Sequence, residues 1–203
     1  MSLLDSKLYQ LVERCVNFFL LNLLWLLACL PVITFVPATL AMFGVLRDWH
    51  MKKETNVLKP FIHHCRKNVK VSIGLTLVWL PLAGLLFANL PLLKPMESIG
   101  GFGVTVLIGF MLILFSFTTV YLFPVIVHFD LPVVHLVRNA FLIATSQLKY
   151  TSLSVGVIVL AGYFIYQIPV LMVFMTSFTC YAIYVLCYEA FKNVGAAYDG
   201  FQG

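Results

Sequence analysis

The chain has 203 residues, 62% of them hydrophobic and only 10% charged, where ordinary soluble domains carry roughly a quarter charged residues. Net charge is +5 with histidine neutral. This composition excludes an ordinary water-soluble enzyme, and the length leaves room for one helical bundle with no second soluble domain of useful size.

Four stretches carry no Lys, Arg, Asp or Glu: Cys15–Leu46, Val71–Leu93, Ser98–Phe129 and Tyr150–Tyr188. A spanning helix needs only about 20 apolar residues to cross the hydrocarbon core. The opening MSLLDSKLYQLVER has charges of both signs, and the apolar run behind it is too long for a signal-peptide core, so a cleaved leader is not expected. Within Asp5–Arg14, Leu8, Leu11 and Val12 make one apolar helical face that leads into the first span, 16–44. Pro31 and Pro37 each remove a backbone donor, so this span is expected to be kinked around Leu30–Pro37. Broken backbone at membrane depth must be satisfied by protein or a wet cavity, which turns Thr34 and Thr39 inward.

The segment 47–70 holds Arg47, Lys52, Lys53, Lys59, Arg66, Lys67 and Lys70, seven of the thirteen basic residues. Cytoplasmic loops accumulate Lys and Arg, so it is read as an inside loop. Attraction to anionic head groups accounts for the charge without nucleic acid. A second span, 71–91, carries Pro81 and leaves at Asn89 and Pro91; a short, near-neutral external loop follows. The third span, 102–127, has Pro124 in its last turns. Residues 131–149 alternate apolar Leu131, Val134, Val137 and Phe141 with His135, Arg138 and Lys149 at helical spacing, as in an amphipathic cytoplasmic helix. The last charge-free run would measure ~58 Å as one helix, nearly twice the hydrocarbon core. It must double back near Tyr166–Pro169, giving spans 151–166 and 169–188.

The expected fold is therefore all-α: a polytopic transmembrane bundle of about five membrane-spanning helices plus a cytoplasmic amphipathic helix. With the basic loop inside, the N-terminus is expected outside and the C-terminus in the cytoplasm. The parity hangs on the first block, since a re-entrant segment there puts the N-terminus inside as well.

Catalytic chemistry finds no foothold. All eight acids lie outside the charge-free runs, so no carboxylate sits at membrane depth as ion-driven transporters require. Neither a GxSxG elbow nor a phosphate-binding P-loop is present. His63 and His64, with Cys65 and upstream His50, look most like metal ligands, but neighbouring histidines on a helix point about 100° apart. No acid follows either one a turn later, so a polar loop is the expected role. The five cysteines have no metal spacing and read as small hydrophobes. No cofactor or metal is expected. The aromatic load suits interfacial belts. Asn22 and Trp25 stand three residues apart, where interhelical hydrogen bonds of ~1 kcal/mol are expected.

Asn22-Leu-Leu-Trp25, Leu30-Pro31-Val32, Thr34, Pro37-Ala38-Thr39 and Ala41-Met42 resemble the opening signature of the YesL family of small bacterial membrane proteins. Phe61 with Arg66-Lys67-Asn68 and Lys70 is similar to the family's aromatic-basic first loop. Phe123-Pro124, Phe129-Asp130 and Asn139-Ala140-Phe141 are similar to its later segment. Val36 stands where the family usually has Gly, and His128 where Arg is common. The resemblance implies no established activity; its members' genes typically lie beside ABC importers for oligosaccharides and glycoside hydrolases. It therefore implies a plasma-membrane accessory to carbohydrate uptake, whose partners are the lipid bilayer and ABC permease subunits. Asn22, Trp25, Pro31, Thr34, Pro37, Phe61, Phe129, Asp130 and Asn139 are its candidate docking or structural residues. An independent small transporter or channel is the alternative, a membrane sensor the third reading, and the oligomeric state is left open.

Overall fold

The structure, a computed structural model, describes residues 3–51, 56–89, 99–129 and 131–199. Every regular element in them is helical. The order is α1 (Leu3–Ala28), α2 (Phe35–His50), α3 (Leu58–Lys67), α4 (Val69–Ala88), α5 (Ile99–His128), α6 (Val133–Ser146), α7 (Leu148–Gln167) and α8 (Met172–Asp199). Four segments are long and apolar enough to cross a membrane: Val69–Ala88, Phe102–His128, Leu148–Gln167 and Pro169–Gly195. The protein is a multi-pass helical membrane bundle.

The first charge-free block is not one kinked helix. Helix α1 stops at Ala28, a 3-10 turn covers Val32–Thr34, and α2 starts at Phe35. Thr34 closes the break: its Oγ1 donates to the carbonyls of Ala28 (2.5 Å), the last residue of α1, and of Pro31 (2.6 Å) within the turn, and a terminal helix oxygen such as the first is otherwise left without a partner. Pro37 is the third residue of α2, in the first turn, where no backbone donor is needed. The two helices then run antiparallel. Trp25 Nε1 donates to Thr39 Oγ1 at 3.2 Å, and the Phe18 ring meets the Trp49 ring edge-on at 5.1 Å. Moving back along α1 thus matches moving forward along α2.

This overturns the expectation of an N-terminus opposite the basic segment. The start of α1 lies at the same end of the bundle as the end of α2. A kink needs one disrupted turn, whereas here six residues (29–34) leave the helix, enough to reverse the chain. The last residues of α8 reach that end too, because Tyr188 packs 4.7 Å from His50. We call it the basic end.

Helix α2 is buried from Val36 through Leu46. Helices that are apolar on every side belong in an interior, and this one separates two clusters. Val36, Leu40 and Phe43, at i, i+4 and i+7, meet Leu75 of α4, Tyr121, Leu122 and Val125 of α5, and Tyr184 and Cys187 of α8. On the opposite face Ala38, Ala41, Met42 and Val45 meet Leu21 and Trp25 of α1 and Phe61 of α3. Phe43 stacks nearly parallel on Phe123 at 5.9 Å.

The segment 47–70 is mostly helix among its described residues rather than loop, since α2 extends to His50 and α3 and α4 are separated only by Asn68. The amphipathic helix is α6, ending at Ser146, so that Lys149 belongs to α7. Its Leu136, Ala140, Ile143 and Ala144 are buried, while Val134, Phe141 and Leu142 are exposed. Between α7 and α8, Pro169 opens a 3-10 turn that reverses the longest charge-free run.

Site-directed labelling checks the hairpin. With the native cysteines replaced, Asp5→Cys and Lys59→Cys should react with a membrane-impermeant maleimide from the same side, and Leu30→Cys, in the turn, from the other. Labelling of Asp5→Cys and Lys59→Cys from opposite sides would refute the antiparallel arrangement.

Candidate functional site at the basic end

Polar chemistry gathers where α2, α5 and α8 finish and α3 begins. Helix α3 carries Pro60 in its first turn and buries Pro60, Phe61 and His64. Lys59, Arg66 and Lys67 face outward beside His63 and, with Ile62, line an open surface depression.

His64 is fixed from two directions. Its Nε2 lies 2.7 Å from Asp48 Oδ2 on α2, and its ring rests directly on Gly44. A Cβ at Gly44 would come within 2.3 Å of His64 Cγ, so only glycine lets the imidazole lie against the α2 backbone. This pair of a buried histidine and a half-buried aspartate joins the amphipathic α3 to the central helix. Metal binding by His63, His64 and Cys65 gains no support, because no group of three His, Cys, Asp or Glu side chains fit to hold a metal occurs among the described residues.

A second polar group lies across α2. Rings from three helices make contact: His50 with Tyr184 (5.6 Å) and Tyr188 (4.7 Å), and His128 with Tyr188 (5.9 Å) and Phe191 (5.2 Å). Arg47 Nε, His128 Nδ1 and Tyr184 OH are shut off from solvent and have no hydrogen-bond partner. A buried donor without an acceptor costs about 1–3 kcal/mol, more when charged.

The residues singled out in the sequence fall elsewhere. Asn22 is fully buried on α1 and its Nδ2 donates to the Met172 carbonyl at 2.8 Å; Ser177 Oγ donates to the Phe18 carbonyl. Trp25, Pro31, Thr34 and Pro37 build the α1–α2 hairpin described above, and Phe61 packs in the cluster with Trp25. Phe129 lies against the His128 and Phe191 rings. Asn139 is half-buried on α6, away from the hairpin residues in sequence and element. Asp130 falls outside the described residues. Thr39 donates to the Phe35 carbonyl while accepting from Trp25, so both inward threonines are engaged by their own hairpin. Sequence reasoning missed the Asp48–His64 pair, whose members stand 16 residues apart, and the grouping of Arg47, His128 and Tyr184. For the latter the one available signal was a set of donor-bearing residues at the ends of three apolar runs.

A helical bundle with four segments long and apolar enough to cross a membrane defines a class, that of small polytopic membrane proteins. Within that class, residues 18–90 match a family profile described as "Protein of unknown function, DUF624". Over 182 residues the chain is 31% identical to the "Uncharacterized protein YesL" of Bacillus subtilis (strain 168), covering 86% of this chain and 84% of that protein. It is 28% identical over 189 residues to "Uncharacterized protein YteU" of the same strain, covering 86% and 83%. No solved structure matches it. The chain belongs to the YesL family.

Gly44→Ala should destabilise the protein by about 1–3 kcal/mol, the usual cost of overpacking a filled interior. His64→Ala removes the clashing ring, so in the double variant the two costs should fall short of their sum. Thermal unfolding of the purified single and double variants measures the coupling, and strict additivity would mean that the two residues do not touch.

Proposed function

We propose that the protein is an accessory subunit of a carbohydrate ABC import system, acting by contact with permease subunits rather than by catalysis. It sits in the plasma membrane with its basic end, and with that end both the start of α1 and the end of α8, in the cytoplasm. The excess of Lys and Arg in 47–70 supports that orientation.

The observation that carries this reading is the burial of α2. Leu40, Met42, Phe43 and Leu46 fill the centre of the bundle, so the protein offers neighbours a surface and keeps its middle for packing. The alternative of a solute path rested on Thr34 and Thr39 lining a wet break, and both hydroxyls are bonded to backbone carbonyls. Likeness to the YesL family supplies the link to carbohydrate uptake. Helix α6 supplies a surface for contact: Val134 is 78% exposed, with Phe141 and Leu142 beside it and Arg138 also outward. Asp130 precedes this face in the chain and Asn139 lies within the stretch that forms it; these are the polar residues we assign to the same contact.

Purification from native membranes under mild detergent should bring down permease subunits, identified by mass spectrometry, and deletion of the gene should lower oligosaccharide uptake. Val134→Asp with Phe141→Glu should cut the recovered permease about tenfold or more, as loss of a buried anchor does. Unchanged uptake together with absence of any permease subunit would remove the proposal.

A further inference from the structure

Arg47 Nε only donates a hydrogen bond, the Tyr184 hydroxyl donates readily, and His128 Nδ1 donates in one tautomer and when protonated. All three are buried and unpartnered, and Tyr184 is wholly inaccessible. They stand on three helices that ring contacts bring together: Arg47 and His50 sit one turn apart on α2, the His50 ring touches Tyr184 and Tyr188, and Tyr188 touches His128. Of the described carboxylates nearby, Asp48 pairs with His64 and Glu189 with Lys192 at 3.0 Å. Arg47 Nε can only donate and the other two groups can donate as well, so one acceptor with several oxygens satisfies all three, and a phosphate group meets an arginine and two further donors at once. The position favours it as well: basic pockets between transmembrane helices receive lipid head groups, and the exposed Lys59 and Arg66 of α3 lie at the same end.

We propose that Arg47, His128 and Tyr184 hold a phosphate group, carried either by an anionic phospholipid head group or by a free phosphate.

The test uses delipidated full-length protein. Thermal unfolding is followed with inorganic phosphate at constant ionic strength, and separately in nanodiscs of phosphatidylcholine with and without phosphatidylglycerol. Wild-type protein should be stabilised. Stabilisation by phosphatidylglycerol alone assigns the lipid head group, and stabilisation by both probes assigns the phosphate group whatever its carrier. Arg47→Gln should abolish the effect and Tyr184→Phe should weaken apparent affinity about tenfold, as loss of a hydrogen bond to a charged group does. The doubly substituted surface control Lys59→Gln, Arg66→Gln should keep it. No stabilisation of wild type by either probe, stabilisation that survives Arg47→Gln, or stabilisation lost in the surface control would each overturn the site. Should Arg47→Gln fail to fold, Tyr184→Phe, which removes a single oxygen, decides alone, and unchanged affinity overturns the site.

Discussion

A helix with no side facing lipid or water must have neighbours all round it, and α2 imposes that requirement on the whole protein. Between helices in a bilayer there is little hydrophobic force, because lipid tails are as apolar as leucine; close packing and hydrogen bonds take its place. The sequence of α2 suits this. Ala38, Ala41 and Gly44 keep one side slim, so α1 and α3 approach closely, while Leu40 and Phe43 project between α4, α5 and α8. Other helices are less committed. Val78, Leu82 and Leu85 of α4 remain exposed, and α4 is tied to α5 by Trp79, which donates to Thr119 at 3.0 Å and stacks on Phe115.

Polar groups do two separate jobs in this arrangement. In the hairpin they neutralise broken backbone: Thr34 serves the last carbonyl of α1, and Trp25 and Thr39 join the two legs. At the basic end they join elements, through Asp48 and His64, or stand unmatched, as with Arg47, His128 and Tyr184. The stretch from Asn22 to Met42 belongs to the first group: it sets how the chain turns.

Much of the fold was legible because lipid sets strict rules. The length of Tyr150–Tyr188 alone demands a reversal, and α7 and α8 meet at Pro169. Helical spacing disclosed α6 and its buried Leu136 and Ala140. The first block misled for a physical reason: Pro31 and Pro37 signal disruption, but proline spacing does not distinguish a bend from a reversal. That choice was decided by Trp25 meeting Thr39 and by the Ala28 carbonyl finding Thr34, contacts between separate helices. The candidate site was less legible still. Asp48 and His64 are partners only because α2 and α3 fold against each other over Gly44, and His50 meets Tyr184 across the better part of the chain. Pairings that tertiary structure creates leave no periodic trace, so a search confined to one helical turn passes over them.

The bond from Asn22 to the Met172 carbonyl joins residues 150 positions apart. On a chain made from its N-terminus onward, α1 and α2 are in place long before α8 exists. Until α8 enters the membrane, the Asn22 amide has no carbonyl there to receive its proton. The hairpin is therefore born with a vacancy that only the last helix fills, and the earliest part of the protein waits on the latest for its final shape.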